Sequence, residues 1–135
     1  MQPHNLVALV TLLSLILLVW TIMRVGGARA RFGVEAPATT GHPEFERHFR
    51  VQMNTVEGLM VYLPSLWLFA LYWTDLVAAV LGLVWIAGRL IYTLAYVKDP
   101  KTRSMGFGIQ GLATIVLLLG ALIGVIRALM ITGGA

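Results

Sequence analysis

The residues best suited to chemistry form two polar stripes on otherwise apolar segments. The first stripe is Arg50, Asn54 and Glu57, whose i, i+4, i+7 spacing puts the three side chains on one helical face. An apolar run from Gly58 to Trp73 follows directly, so the stripe lies at the edge of a membrane. Ionisable groups at membrane depth are costly and mark a functional site by default. The stripe therefore predicts a site for a polar, anionic ligand.

The second stripe is Arg89, Tyr92 and Tyr96, spaced i, i+3 and i+7, again on one helical face. Arg103 follows after the Asp99-Pro100 break, at the predicted start of the last helix. Both stripes fall at the same membrane depth, which predicts a pocket open to the membrane interface. Its cations, amides, carboxylate and phenols suit a peptide-like anion with several carboxylates and an amine.

Composition places these stripes in a membrane protein. The chain has 135 residues, of which 59% are hydrophobic and 12% charged, against roughly 45–50% and ~25% in soluble domains. The mean hydropathy is +0.84. Three apolar runs are long enough to span a bilayer, and the fourth, Gly58 to Trp73, becomes long enough when it is extended back into the Arg50 stripe. These runs predict an all-α, integral membrane four-helix bundle in a single domain, 1–135. The expected transmembrane helices are approximately 5–24, 46–74, 76–97 and 104–130, the first retained rather than cleaved as a signal peptide.

The basic residues predict the orientation of this multi-pass bundle. Two loops on one side carry almost all of them: Arg24, Arg29, Arg31, Arg47 and Arg50 in or near the first, and Lys98, Lys101 and Arg103 in the third. By the positive-inside rule, these loops and the pocket face the cytoplasm and both termini face away. Because the basic residues are juxtamembrane rather than on a soluble face, nucleic-acid binding is a poor interpretation.

Two classes of reactive site are not expected. The chain has no cysteine, so it has no thiolate nucleophile of its own and no cysteine-based metal site. His4, His42 and His48 have no metal-ligand spacing, so no metal is predicted. A thiol nucleophile would have to come from the ligand.

Several of these residues also have a purely structural interpretation. Arg89 and Glu57 could form a buried interhelical ion pair, and Tyr92 and Tyr96 could be aromatic anchors at the membrane interface. The remaining basic residues could serve only topology and lipid headgroups: Arg24, Arg29, Arg31, Lys98 and Lys101.

The stripes carry a family resemblance. The motifs are Phe45-Glu46-Arg47-x-x-Arg50-x-Gln52-x-Asn54-x-x-Glu57 and Arg89-x-x-Tyr92-x-x-x-Tyr96-x-x-x-x-x-x-Arg103, preceded by Thr39-Thr40-Gly41-x-Pro43. Over nearly the whole chain the sequence resembles MAPEG, the membrane-associated proteins in eicosanoid and glutathione metabolism. That resemblance implies homotrimers of four-helix protomers, with glutathione as co-substrate bound between neighbouring protomers.

The resemblance also implies roles for individual residues. One protomer would bind glutathione through Arg50, Asn54, Glu57, Tyr92, Tyr96 and Arg103, and the adjacent protomer would contribute Arg29 and Gln52. Ala30 stands where the leukotriene-forming enzyme has a second consecutive arginine, and Gly58 where it has a tyrosine. These departures favour general glutathione use over leukotriene synthesis.

Together these observations predict a membrane-bound glutathione transferase acting on lipophilic electrophiles, with glutathione-dependent peroxidase activity toward lipid hydroperoxides as a further expectation. Arg103 is the predicted catalytic residue, because a guanidinium at a helix N-terminus stabilises a thiolate. The alternative is a non-catalytic lipid-binding or scaffold protein of the same fold. A small transporter is a weaker alternative, since four short helices leave little room for alternating access.

Overall fold

A computed structural model describes residues 3–133 as four long helices and one short turn. The helices are α1 (Asn5–Phe32), α2 (Pro43–Tyr72), α3 (Asp75–Lys98) and α4 (Ser104–Thr132), and a 3-10 turn at Pro100–Thr102 joins the last two. Each helix is long and apolar enough to cross a membrane. The expected all-helical bundle with four candidate membrane spans is confirmed.

The first helix extends well past the predicted bound at residue 24. Gly26 and Gly27 do not interrupt it, and it ends at Gly33, whose backbone is left-handed (φ 66°). The last turns of α1 are held by a small apolar cluster in which Val25 and Ala28 pack with Phe45 of α2. Tertiary packing therefore overrides the low helix propensity of the glycine pair.

Local signals define the other helix limits. Pro43 occupies the first turn of α2, and the His42 side chain accepts a hydrogen bond from the Glu44 amide at 3.1 Å. Pro64 lies inside α2, which nonetheless runs as one helix to Tyr72. Asp99 ends α3 and its side chain accepts from the Lys101 amide at 3.1 Å, which caps the 3-10 turn.

Both ends of the described chain meet at the end of the bundle that holds the α2–α3 turn. His4 contacts Asp75 at the start of α3, and Arg127 near the end of α4 stacks on Trp73 at the end of α2. The α1–α2 loop and the α3–α4 turn lie at the opposite end. We refer to these as the terminal end and the loop end.

Glycines let α4 approach α3 and α2 closely. A Cβ on Gly88 of α3 would lie 2.6 Å from the backbone nitrogen of Gln110, and one on Gly106 of α4 would collide with the backbone of Tyr92. Gly120 and Gly124 likewise permit close packing of α4, against Phe69 and Trp73 of the same chain. The Gly88–Gly106 contact brings the start of α4 against the tyrosines of α3.

The outward faces of the helices are apolar. Only 17% of the most apolar stretch of α4 and 28% of that of α1 are buried, against 39% and 44% for α2 and α3. The core between the helices contains Trp85 stacked on Tyr62, with ring centroids 4.1 Å apart. Exposed apolar faces on spanning helices are expected to contact lipid or further protein within the membrane.

Candidate functional site

A cleft of about 850 Å³ opens at the loop end between α2, α3 and the start of α4. Five of the predicted binding residues line it, together with residues of the 3-10 turn and the first turn of α4. The lining is Arg50, Asn54, Tyr92, Tyr96, Pro100, Lys101, Arg103, Ser104, Phe107 and Gly108. Two members of each stripe and Arg103, separate in sequence, therefore meet in one cavity.

Helix α2 contributes a cation and an amide to the cleft. Arg50 and Asn54 lie one turn apart, while Val51 and Thr55 next to them are buried against the bundle. Burial of Val51 and Thr55 fixes the rotation of α2, and this turns the polar stripe toward the cavity. Arg50 is exposed and Asn54 half-buried, so both can reach a ligand.

Helix α3 contributes two stacked phenols. The rings of Tyr92 and Tyr96 are 5.5 Å apart, and Phe107 of α4 lies 6.2 Å from Tyr92. Tyr92 is only 4% exposed, which is unlike an aromatic anchor at the lipid interface. The structure thus places the tyrosines in the cleft and contradicts the interface-anchor alternative for Tyr92.

Arg103 immediately precedes α4 and lines the cleft. Its Nη1 donates to the Pro100 carbonyl oxygen at 3.2 Å, and the side chain is exposed. The helix that begins at Ser104 adds the partial positive charge of its N-terminus. With Arg50 and Lys101, three cations line this cavity, and no lining residue within the described chain is acidic.

The carboxylate that the sequence predicted for this pocket lies outside the cleft lining. Glu57 is exposed on the same stripe of α2, but about 10 Å further along the helix than Arg50 at about 1.5 Å per residue. Helical periodicity placed it on the correct face, whereas depth along the axis excludes it from the lining. The cleft is therefore more cationic than predicted.

Arg89 lies behind the cleft and is 1% exposed. Its Nη2 donates to Asn54 Oδ1 at 2.8 Å, its Nε donates to Thr55 Oγ1 at 3.2 Å, and its guanidinium lies 4.2 Å from the centre of the Tyr92 ring. Among residues 3–133, no carboxylate lies within ion-pair distance of it. The suggested Arg89–Glu57 ion pair is therefore wrong, because Asn54 and Thr55 occupy the positions that face Arg89.

These contacts give Arg89 a positioning role that the sequence did not assign to it. Because Asn54 Oδ1 accepts from Arg89, the amide NH2 group of Asn54 is left to donate elsewhere. Arg89 thus fixes the orientation of a residue that lines the cleft. The sequence signal was the i, i+3 spacing of Arg89 with Tyr92, which showed a shared face but not the partner.

Besides Glu57, two further predicted binding residues lie away from the cleft. Arg29 donates to the Ala38 carbonyl oxygen at 2.8 Å and lies over the Phe45 ring at 4.8 Å, so it braces the α1–α2 loop. Gln52 is half-buried, and it is rotated by roughly 200° about α2 from Arg50. Within one chain neither residue reaches the cavity.

Sequence reasoning missed other contributors. Lys101 was interpreted only as a topology charge, yet it lines the cleft with Ser104 and Phe107. Arg47 Nη1 donates to the carbonyl oxygens of Val97 at 3.2 Å and Lys98 at 3.5 Å, which joins α2 to the end of α3 beside the cleft. For Lys101, the available sequence signal was its position close to Arg103. For Arg47, the signal was its place in the motif that contains Arg50.

Comparison with known proteins agrees with this arrangement. The MAPEG family model matches residues 7–123. The chain belongs to the MAPEG family. Within the part of this MAPEG chain that is described, residues 3–133, no group of three or more His, Cys, Asp or Glu side chains could hold a metal ion.

Several relatives are similar to this chain over most of its length. Human microsomal glutathione S-transferase 2 is 41% identical over 118 residues, covering 87% of this chain and 80% of that protein. Bovine leukotriene C4 synthase is 39% identical over 98 residues, covering 73% and 65%. An uncharacterised protein of Synechocystis is 44% identical over 124 residues, covering 92% and 88%.

Proposed function

We propose that this protein is a membrane-bound glutathione transferase that conjugates glutathione to lipophilic electrophiles. The observation that carries the proposal is the cation-lined cleft, which gathers Arg50, Asn54, Tyr92, Tyr96 and Arg103 at the loop end of a MAPEG bundle. Similarity to a protein named microsomal glutathione S-transferase 2 supports the same activity.

Glutathione suits this cleft by charge. It has two carboxylates and one ammonium group, so it carries a net negative charge that grows when its thiol ionises. Arg50 and Lys101 bind the carboxylates through charge-assisted hydrogen bonds, and the Asn54 amide, oriented by Arg89, donates to a carbonyl or carboxylate of the tripeptide. Glu57, further along the α2 stripe, receives the ammonium group, which extends the ligand along α2.

Arg103 activates the sulfur. A free thiol has a pKa of about 8.5 and only the thiolate is nucleophilic. A guanidinium beside the sulfur, helped by the N-terminus of α4, stabilises the thiolate and lowers that pKa. Each tenfold gain in thiolate at fixed pH corresponds to about 1.4 kcal/mol.

The thiolate then reacts with an electrophile that enters from the lipid. In conjugation, a sulfur lone pair forms the C–S bond while the electrophile releases a leaving group or its opened epoxide oxygen takes up a proton. As a secondary activity, we propose reduction of lipid hydroperoxides. There the thiolate attacks the peroxide oxygen and the lipid alkoxide leaves as an alcohol after protonation. A second glutathione then displaces water from the sulfenic acid to give glutathione disulfide.

The assembly we propose is a homotrimer with three sites, in which Arg29 and Gln52 of one protomer complete the site of its neighbour. Both residues lie outside their own protomer's cleft, and the exposed apolar faces of α1 and α4 leave room for neighbours. Native mass spectrometry in detergent is expected to show trimers. Monomers or dimers alone would contradict this assembly.

The orientation we propose places the loop end, and so the cleft, on the cytoplasmic side with both termini on the opposite side. The support is the concentration of Arg and Lys in the two connections at the loop end. Glutathione is then drawn from the cytosol while the apolar substrate arrives through the bilayer.

The deciding experiment is an assay of the purified protein for glutathione conjugation to a generic aryl halide. Conjugation that saturates with glutathione is the expected result. Absence of conjugation, together with absence of a thiolate absorbance at saturating glutathione, would contradict the transferase and leave the non-catalytic scaffold.

A further inference from the structure

A second site runs along the seam between α1 and α3, on residues that do not line the glutathione cleft. Its apolar part is a groove of about 380 Å³ lined by Leu13, Ile16, Leu17, Trp20, Leu83, Ile86 and Leu90. Its polar part is a cleft of about 310 Å³ at the loop end, where α2 adjoins the seam. This cleft is lined by Arg24, Gly27, Ala28, Arg31 and Phe32 of α1, Glu44 and His48 of α2, and Val97 of α3.

The two parts follow one continuous stripe on α1. On α1 the groove residues Leu13, Leu17 and Trp20 lead by turns of three or four residues to Arg24. The Arg24 guanidinium stacks on the Trp20 ring at 4.8 Å, so the basic cleft and the groove are in contact at these two residues. On α3, Leu90 lines the groove and Val97 lines the cleft.

The basic cleft carries more positive than negative charge. Arg31 pairs with Glu44 at 3.6 Å, and the carboxylate of Glu44 offsets one of the two guanidiniums. Among residues 3–133, no hydrogen-bond acceptor lies within reach of the buried Nε of Arg24. Since that Nε is buried, an external anion is bound by the other guanidinium nitrogens of Arg24, which has no carboxylate within ion-pair distance among residues 3–133.

Depth along the helix matches one leaflet of a bilayer. Asn5 to Arg24 covers about 28 Å at about 1.5 Å per residue, close to the ~30 Å of the hydrocarbon core. Leu13 to Arg24 covers about 16 Å, or half of it. An acyl chain lying in the groove therefore has its headgroup phosphate at the level of Arg24.

We propose that this seam is a binding site for an anionic phospholipid of the leaflet at the loop end. One acyl chain occupies the groove, and the headgroup phosphate accepts hydrogen bonds from Arg24. His48 and Arg31 lie beside it, and Gly27 leaves open space on α1, since a Cβ there would meet nothing. The excess positive charge selects an anionic lipid over a zwitterionic one.

The test measures lipid retention by native mass spectrometry of the full chain after addition of dioleoyl phosphatidylglycerol, dioleoyl phosphatidylcholine or glycerol phosphate. Retention of phosphatidylglycerol over phosphatidylcholine is expected, and glycerol phosphate is expected to leave no adduct because it lacks an acyl chain. Equal retention of both lipids, or an adduct of glycerol phosphate that matches the lipid, would overturn the site.

Variants locate the site. Arg24→Gln is expected to weaken phosphatidylglycerol retention by about tenfold or more, as for loss of a charged hydrogen bond. The matched control is Arg127→Gln, because Arg127 also stacks on a tryptophan, Trp73 at 5.2 Å, but at the terminal end. Equal losses in both variants, or none in Arg24→Gln, would contradict the assignment.

Filling the groove provides a second test if Arg24→Gln does not fold. Leu83→Trp should lower lipid retention while aryl-halide conjugation stays at the wild-type rate, since Leu83 does not line the glutathione cleft. Leu112→Trp, on an exposed face of α4, is the control. If Leu83→Trp changes the oligomeric state and leaves lipid retention unchanged, a second copy of the chain covers the groove and the lipid site is wrong.

Discussion

The two ends of the bundle differ in whether their polar side chains have hydrogen-bond or ion-pair partners within the chain. At the terminal end, His4 Nδ1 and Asp75 Oδ1 are 2.7 Å apart, and Trp73 Nε1 donates to the Gly120 carbonyl oxygen at 2.7 Å. At the loop end, the cations of the cleft face an open cavity without a carboxylate among its lining residues. Polar groups that satisfy one another stabilise the fold, whereas cations gathered without acidic partners are arranged for a ligand.

This contrast predicts that mutations at the loop end change glutathione chemistry and leave stability nearly unchanged. Mutations at the terminal end should do the reverse. Arg127 is the shared control, since it is an exposed arginine of the terminal end. The expected effects below run from the largest to the smallest.

Replacement of Arg103 should have the largest effect. Arg103→Ala is expected to remove about 2–3 kcal/mol of thiolate stabilisation, which should lower kcat by roughly 30- to 150-fold with a smaller change in KM. The thiolate absorbance of bound glutathione should disappear with it, and stopped-flow absorbance measures both. Arg103→Lys should recover part of the rate, because a point charge keeps the electrostatics but not the fork geometry.

One result would contradict the assignment of Arg103 as the activating residue. Arg103→Ala conjugating at the wild-type rate would remove Arg103 as the activating residue. Arg127→Ala is expected to keep both the thiolate signal and kcat.

Replacement of Arg50 should weaken binding rather than chemistry. Loss of a charged hydrogen-bond partner costs about 1.5–3 kcal/mol, so Arg50→Ala should raise the Kd of glutathione by roughly ten- to a hundredfold. Titration calorimetry measures this change. An Arg50→Ala variant with wild-type affinity would show that the α2 stripe does not hold the ligand.

Replacement of Arg89 separates positioning from stability. Arg89→Met removes a buried cation without a carboxylate partner among residues 3–133, and Thr55 keeps its 2.7 Å bond to the Val51 carbonyl oxygen. The melting temperature should therefore stay the same or rise, because burial of an uncompensated charge is costly. Glutathione affinity should fall by about three- to tenfold, since the Asn54 amide loses its orientation.

Calorimetry of Arg89→Met tests the expected loss of glutathione affinity, and thermal unfolding tests the expected melting temperature. Unchanged affinity would mean that Arg89 does not position Asn54. A large loss of stability with unchanged affinity would make it a structural residue only.

The smallest effect belongs to the terminal end. Asp75→Asn breaks a partly exposed pair, in which the His4 side chain is 31% exposed and the Asp75 side chain 23% exposed. Such pairs contribute about 0–1 kcal/mol, so the melting temperature should fall by a few degrees at most. Glutathione Kd and kcat should not change, and a change in either would remove the distinction between the two ends.

Much of this molecule follows from its sequence alone. The four apolar runs determine four membrane-length helices, and the spacing of Arg50 with Asn54 and of Tyr92 with Tyr96 determines which side chains share a face. The Asp99-Pro100 break also marks the end of α3 correctly, whereas α2 begins at Pro43, before the expected bound at 46. These features depend on local backbone preference and helical periodicity, which sequence records directly.

The tertiary structure decided which of these groups meet. The close approach at Gly88 and Gly106 brings Arg103 beside the tyrosines, and the 3-10 turn adds Lys101 to the cleft. Helix packing also places the Asn54 amide, rather than the Glu57 carboxylate, within hydrogen-bond distance of Arg89. Periodicity specifies a face of one helix, but depth along the axis and the identity of the opposing residue depend on how neighbouring helices interlock.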